Sequence, residues 1–389
     1  VSAQSPARTH VEHEQHPQAP RVLTRRGAWR GRSAVLISGL TVALVVVTVI
    51  SAGRGQLGVP PAEVAGSIMN RLDGGLEWLL RRIGLEVDLP LGIGPLPSHP
   101  QGENTLWLVR FPRVSLAVLV GAALATAGAL MQGVFGNPLA EPSIVGVSPG
   151  AAVGASFVFV TGVSWLGEWT VPIAAFVTGL LATLLVYALS RAGGRTEVVT
   201  LILTGVAVTA VAFAIVAFAT FVANPEAREQ IVFWQLGSLN GARWPAVAAV
   251  APFVGVGLVV ALLSARSLDL LSLGDRTARH LGVHVERLRI VLIVAVAMLV
   301  GSGVAFAGVI GFVGLVVPHL VRMVAGPGHR LLLPASALGG AVLLVGADLV
   351  ARTAIQYADL PLGMLTALVG GPFFFWLLRR TRRRAGGWA

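Results

Sequence analysis

The stretch from Arg110 to Gly150, RFPRVSLAVLVGAALATAGALMQGVFGNPLAEPSIVGVSPG, leaves this chain few folds to choose from. Two arginines bracket a proline, and an apolar run dense in Gly and Ala follows. It is broken only at Asn137-Pro138-Leu139-Ala140-Glu141-Pro142, and a second apolar run starts at once. About 20 apolar residues cross a bilayer core. Two such runs joined by a short polar break predict a helical hairpin in a membrane. Gly121, Ala125 and Gly128 are small enough for neighbouring helices to approach closely.

The same pattern recurs along the chain. Spans are predicted at 33–53, 113–135, 143–163, 171–190, 197–222, 245–264, 289–305, 309–325, 332–351 and 362–379. The fold class expected is an all-α polytopic membrane protein with about ten transmembrane helices. The composition agrees: 55% of residues are hydrophobic and 12% are charged. The least marked boundary lies between the spans of 289–325, where only the glycines from Gly301 to Gly308 interrupt the run.

Residues 1–32 are polar and rich in Pro, Gln, His and Arg, and read as a disordered cytoplasmic tail. His10, His13 and His16 recur there every third residue, in a composition that favours a solvated tail over a metal site. The run 33–53 is too long for a signal-peptide core and is expected to be retained as the first span. Residues 54–106 form an extracytoplasmic connection, in which Val64–Ile83 is amphipathic and predicts a helix lying at the interface. The ten-span domain covers 33–379, and 380–389 is a basic cytoplasmic tail.

Ten spans place both termini on one side, and arginine bias chooses which. One side carries 20 arginines and the other nine. Both termini are therefore expected in the cytoplasm, with the chain in a bacterial inner membrane. An inverted internal repeat is also predicted. A shift of 180 residues aligns Val114 with Val294, Leu119-Val120-Gly121 with Leu299-Val300-Gly301, and Ala127-Gly128 with Ala307-Gly308, among nine identities in 25 positions. Five spans separate the copies, so they run in opposite directions, as in many transporters.

Residue types exclude several chemistries. Cysteine is absent, which rules out disulfides and thiol nucleophiles. All 29 basic residues are arginines, so the chain has no P-loop lysine and no nucleotide motor of its own. The net charge of +11 does not point to nucleic acid, because the arginines lie at span ends and in the tails. Gly146-Val147-Ser148-Pro149-Gly150 matches a nucleophile elbow literally, but it lies in a spanning helix rather than after a strand. An intramembrane hydrolase is the weakest alternative. Asp348 and Arg352, one turn apart, suit a packing pair better than a proton relay. His319 suits a packing or capping role. Thr196, Thr200 and Thr204 fall on one helical face and either line a solute path or bond back to their own helix. Residues 265–289, ARSLDLLSLGDRTARHLGVHVERLR, predict two short cytoplasmic helices around Gly274 and Gly282. Leu268, Leu271, Leu273, Ala278 and Leu281 are their apolar anchors, a pattern that suits docking of a cytosolic partner.

These pieces resemble the permease family of ABC importers for iron–siderophore complexes, haem and cobalamin. The matching segments are 110–114, 121–155, 273–289, 308–322 and 359–378, and Gly136 departs from the charged or polar residue common in the family before Asn-Pro. The resemblance implies a pair of permeases, with a second copy or a paralogue, around a central path. It implies a cytosolic ATPase dimer that uses ATP and Mg, no cofactor bound by this chain, and an extracytoplasmic substrate-binding protein. Asn137, Leu139 and Thr196 would help close a cytoplasmic gate. Leu273, Gly274, Asp275, Ala278, Leu281 and Gly282 would couple to the ATPase. Arg110, Arg113 and Arg352 would receive carboxylates of the binding protein. The expected cargo is a metal chelate, ferric siderophore first, with haem or cobalamin as alternatives. An ion-coupled secondary transporter is the rival from another class.

Overall fold

The computed structural model describes residues 23–82, 94–192 and 195–384. The histidines of the tail and the last five residues lie outside them, as do parts of the 54–106 connection. The helices run α1 (Leu23–Gly53), α2 (Pro61–Arg82), α3 (Gly102–Asn104), α4 (Phe111–Phe135), α5 (Val147–Thr161), α6 (Thr170–Leu189) and α7 (Val198–Val222). They continue as α8 (Pro225–Leu236), α9 (Trp244–Leu271), α10 (Asp275–His280), α11 (Val285–Ala307), α12 (Val313–Ala325), α13 (His329–Thr353) and α14 (Leu362–Arg384). A π-turn over Thr105–Arg110 joins α3 to α4 without a break, so one helical rod spans Gly102–Phe135. A two-stranded hairpin pairs β1 (Arg191–Ala192) with β2 (Arg195–Thr196).

Among the described residues seven helices are long and apolar enough to cross a membrane, and Val147–Thr161, Val313–Ala325 and Leu362–Trp376 are shorter apolar helices. Together they fall on the ten predicted spans. Helix α1 begins at Leu23, so residues 23–32, expected in the tail, open the first helix. Residues 265–271, expected to start a separate short helix, instead extend α9. The expected pair of coupling helices is thus a single one, α10, between Gly274 and Gly282.

The rod ending at Phe135 is the axis of the molecule. Nearly every side chain of α4 is buried, and it packs against α13, α11, α9 and α12. Its glycines make this possible. A Cβ at Gly121 would collide with the Gly340 carbonyl, and one at Gly128 with the Gly314 backbone. Small residues let helices approach in lipid, where dispersion and interhelical hydrogen bonds replace the hydrophobic drive. The α4–α13 pair is antiparallel, since Gly121 meets Gly340 while Gly133 meets His329. Helix α5 heads a second group with α6, α7 and α8.

Two connections enter the membrane depth. Helix α5 has 15 residues and α12 has 13, a rise of about 20 Å against a core of about 30 Å. The segments preceding them, 136–146 and 308–312, make up the difference and meet: the Phe312 amide donates to Glu141 Oε1 at 3.2 Å. Irregular backbone at such depth persists only where the protein satisfies it. A long helix followed by a short apolar one appears in α4–α5 and again in α11–α12, at the start of each copy of the predicted repeat. Its residue register is looser, because Gly128 lies inside α4 whereas Gly308 caps α11.

Candidate functional site

The predicted site residues fall into two networks at opposite ends of the spans, outer and inner by the sides expected from the arginine bias. On the outer side, Arg110, Arg113 and Arg352 are expected to offer free guanidiniums to a partner's carboxylates, and only Arg352 has an acid, Asp348, within one helical turn in sequence. The structure corrects that premise. Arg113 is 9% exposed and lies between two carboxylates. Its Nε donates to both oxygens of Asp348 at 2.9 and 3.2 Å, and Nη1 donates to Asp359 at 2.7 Å. Asp348 is fully buried and also faces Arg352 at 3.4 Å. Arg352 donates to Ser51 Oγ at 2.6 Å, to the Ser51 carbonyl, and to the Arg54 carbonyl at 2.8 Å. Arg110 is 5% exposed and donates to the Ala52 carbonyl at 2.7 Å and to that of Leu57.

The physical reason is that α1 ends at Gly53 with unpaired carbonyls, as every helix does. Arg110, in the turn that leads into α4, and Arg352 of α13 donate to the Ala52 and Ser51 carbonyls, and Asp348 and Asp359 balance the charge. The sequence hid this because Arg113 lies 235 and 246 residues from its carboxylates and Arg110 lies 58 and 53 from its carbonyls. Asp348 and Arg352 do form the packing pair the sequence favoured, with Arg113 as its third member.

On the inner side, Asn137 is exposed and closes its own turn: its Oδ1 accepts from the Leu139 amide at 2.9 Å, and its carbonyl accepts from Ala140 at 3.1 Å. Leu139 is half-buried beside it. Thr196 precedes α7 rather than sharing a helical face with Thr200 and Thr204, which corrects that pattern. It is buried, its hydroxyl donates to Glu286, and its amide donates to Glu286 Oε2 at 3.2 Å. Tyr187 donates to the same carboxylate at 3.3 Å. Arg289 donates to the Thr196 carbonyl at 3.4 Å and to Asp275 at 3.0 Å. Thr196 is therefore bolted to the foot of α11 and, through Arg289, linked to α10; among the described residues no hydrogen bond joins it to Asn137 or Leu139.

Helix α10 stands between Gly274 and Gly282, both at positive φ, 99° and 86°. Ala278 is buried against Leu271 and Val285, while Leu273 and Leu281 are 60% and 54% exposed. The leucines predicted as anchors thus divide. Leu268 and Leu271 seat the segment, and Leu273 and Leu281 present themselves to solvent. Sequence reasoning missed Glu286, Arg289 and Tyr187. The signal available was the acidic Glu286 between basic residues in HVERLR.

Ser148 is buried at the start of α5 and lines a cavity of about 520 Å³ with Ser143, Gly205, Thr209, Gln235 and Val309. None of these is an acid or a base, and a tight 3-10 turn, Pro142–Val145, precedes α5 where an elbow needs a strand. His319 is half-buried on α12.

A buried axial rod, two re-entrant connections and a short glycine-bounded helix between long spans define a polytopic helical transport protein. The chain belongs to the FecCD transport family, whose model matches residues 43–380. That range includes the whole of the 54–106 connection, which carried no recognisable motif. A hemin transport system permease protein of Yersinia pestis is 43% identical over 286 residues, covering 72% of this chain and 85% of that protein. A cobalamin import system permease protein of Halobacterium salinarum is 39% identical over 376 residues, covering 93% of this chain and 98% of its own length. Among solved structures, a metal-chelate type ABC transporter in an inward-facing conformation aligns with a TM-score of 0.73 at 31% identity, covering 88% of this chain and 98% of that one.

Proposed function

We propose that this chain is the permease subunit of an ATP-driven importer of metal chelates. The observation that carries the reading is α10. Two exposed leucines, Leu273 and Leu281, flank a short helix that is seated on α9 and tied to α11 through Asp275 and Arg289, a surface built to receive a partner and pass on its motion. The absence of lysine requires that motor to be another chain, so ATP and Mg belong to a cytosolic ATPase dimer and this chain is not itself an enzyme. Leu273, Gly274, Asp275, Ala278, Leu281 and Gly282 form the coupling segment. Asn137 and Leu139 close the inner end of a path shared with a second permease, and Thr196 acts by fixing the hairpin beside it.

The outer arginines act differently from the expectation. Arg110, Arg113 and Arg352 shape the rim by holding α1, α4 and α13 together, and an extracytoplasmic binding protein docks on that rim. Both termini lie in the cytoplasm by arginine bias. The relatives named for hemin and cobalamin support a metal chelate as cargo, with ferric siderophore as a third member of the class.

The test is reconstitution with ATPase and binding protein in liposomes, offering hemin, cobalamin and a ferric siderophore separately. ATP-dependent uptake of one of them is expected. Uptake driven by an ion gradient with no ATPase present would replace this reading with a secondary transporter.

A further inference from the structure

Helix α9 is longer than the membrane needs. Its 28 residues rise about 42 Å, against a hydrocarbon core of about 30 Å. Its outer end is marked by Trp244, which stacks on Trp107 and donates to the Trp107 carbonyl at 2.7 Å, in the manner of interfacial aromatic residues. About 20 residues inward from there, the helix leaves the hydrocarbon close to Leu263. Arg266 then stands at the depth of the cytoplasmic headgroups. Helix α11 reaches the same depth from the other direction: about 20 residues back from Ala307 lies Leu288, next to Arg287.

Arg266 and Arg287 line one cleft of about 480 Å³, with Leu270, Leu288 and Val291 between them and Leu281 and Gly282 at its cytoplasmic lip. Both arginines are exposed, and among the described residues neither has an ion pair or hydrogen bond. The acids nearest in sequence are engaged elsewhere: Asp269 with His329 at 2.8 Å, and Glu286 with Thr196 and Tyr187. Toward the membrane the cleft continues into apolar exposed stripes, Leu262 and Leu263 on α9 and Val291 and Val294 on α11.

We propose that this cleft binds an anionic phospholipid. Its phosphate sits between the Arg266 and Arg287 guanidiniums and an acyl chain runs along the Leu262–Val294 surface. Arginine pairs bidentately with phosphate, and basic pockets between helices at the cytoplasmic boundary suit such headgroups. Two unpaired cations continuous with a lipid-facing apolar surface match a charged amphiphile better than a protein face, which would meet α10 from below.

The full-length permease, without ATPase, is placed in phosphatidylcholine nanodiscs containing a minority of spin-labelled phosphatidylglycerol. The immobilised fraction of label reports binding. Wild type is expected to hold the label, and Arg266→Gln with Arg287→Gln to lower its affinity on the order of tenfold. Arg330→Gln, an exposed arginine outside the cleft, should change nothing, and an unchanged melting temperature shows that the double variant is folded. Equal immobilisation in the double variant overturns the proposal. Displacement of the label by added ATPase subunit would reassign the cleft to that protein, and displacement by inorganic phosphate would reduce it to a simple anion site. Because no ATPase is needed for binding, the result stands apart from the importer reading.

Discussion

The outer and inner networks contain the same residue types and do different work. On the outer side, Arg113 and Arg352 pack around the buried Asp348; Arg113 ends on carboxylates, and Arg352 goes on to the Ser51 and Arg54 carbonyls at the end of α1. On the inner side, Arg289 and Glu286 are tied to Asp275 and Thr196, but the segment they support is flanked by exposed Leu273 and Leu281, each followed by a positive-φ glycine. A buried ion pair is costly to break, because the partner left behind keeps its desolvation penalty. The outer network is therefore a clamp, and the inner one is a mount for a moving part. Charge alone did not distinguish them; burial and the nature of the acceptors did.

The largest effect is expected from breaking the clamp. Arg113→Ala leaves Asp348 buried with Arg352 alone and should cost about 3–5 kcal/mol, read as a large fall in the melting temperature of detergent-purified protein. Triple reversal of Arg110, Arg113 and Arg352 to Glu should abolish folded protein. A well-folded triple variant would show that the arginines are free surface groups after all.

Next comes the mount. Arg289→Ala removes the link from α11 to Asp275 and to the Thr196 carbonyl, at a cost of about 1.5–3 kcal/mol. Stimulation of the ATPase by substrate should be lost even where the protein remains folded. Coupling that survives intact would place the transmission elsewhere.

How much of this was legible beforehand divides along the same line. Apolar runs of spanning length and the Gly/Ala density of 113–135 were visible in sequence, because the membrane imposes them locally. The length of α5 was not, since Pro142–Val145 is apolar enough to count as span yet forms a tight turn. The α10 leucines were found, but not which of them face outward. The arginine clamp was misread for a physical reason. Its carboxylates come from α13 and the 354–361 connection, and most of its other acceptors are backbone carbonyls between Ser51 and Leu57, which carry no side-chain signature.

Smaller effects sharpen the contrast. Leu139→Gly should change stability by less than about 1 kcal/mol while raising passive leak of small solutes through the permease pair in liposomes without ATP. A leak equal to wild type would remove Leu139 from the gate. Leu281→Asp should be smaller still in stability, within about 0.5 kcal/mol, because the side chain already faces solvent.

The most direct test measures melting temperature and ATP-driven uptake side by side for Arg113→Ala and Leu281→Asp, each co-expressed with the ATPase. If the outer network is a clamp and α10 a docking mount, Arg113→Ala melts well below wild type. Leu281→Asp melts with wild type but transports nothing. Normal uptake by Leu281→Asp, or an unchanged melting temperature for Arg113→Ala, would contradict the account.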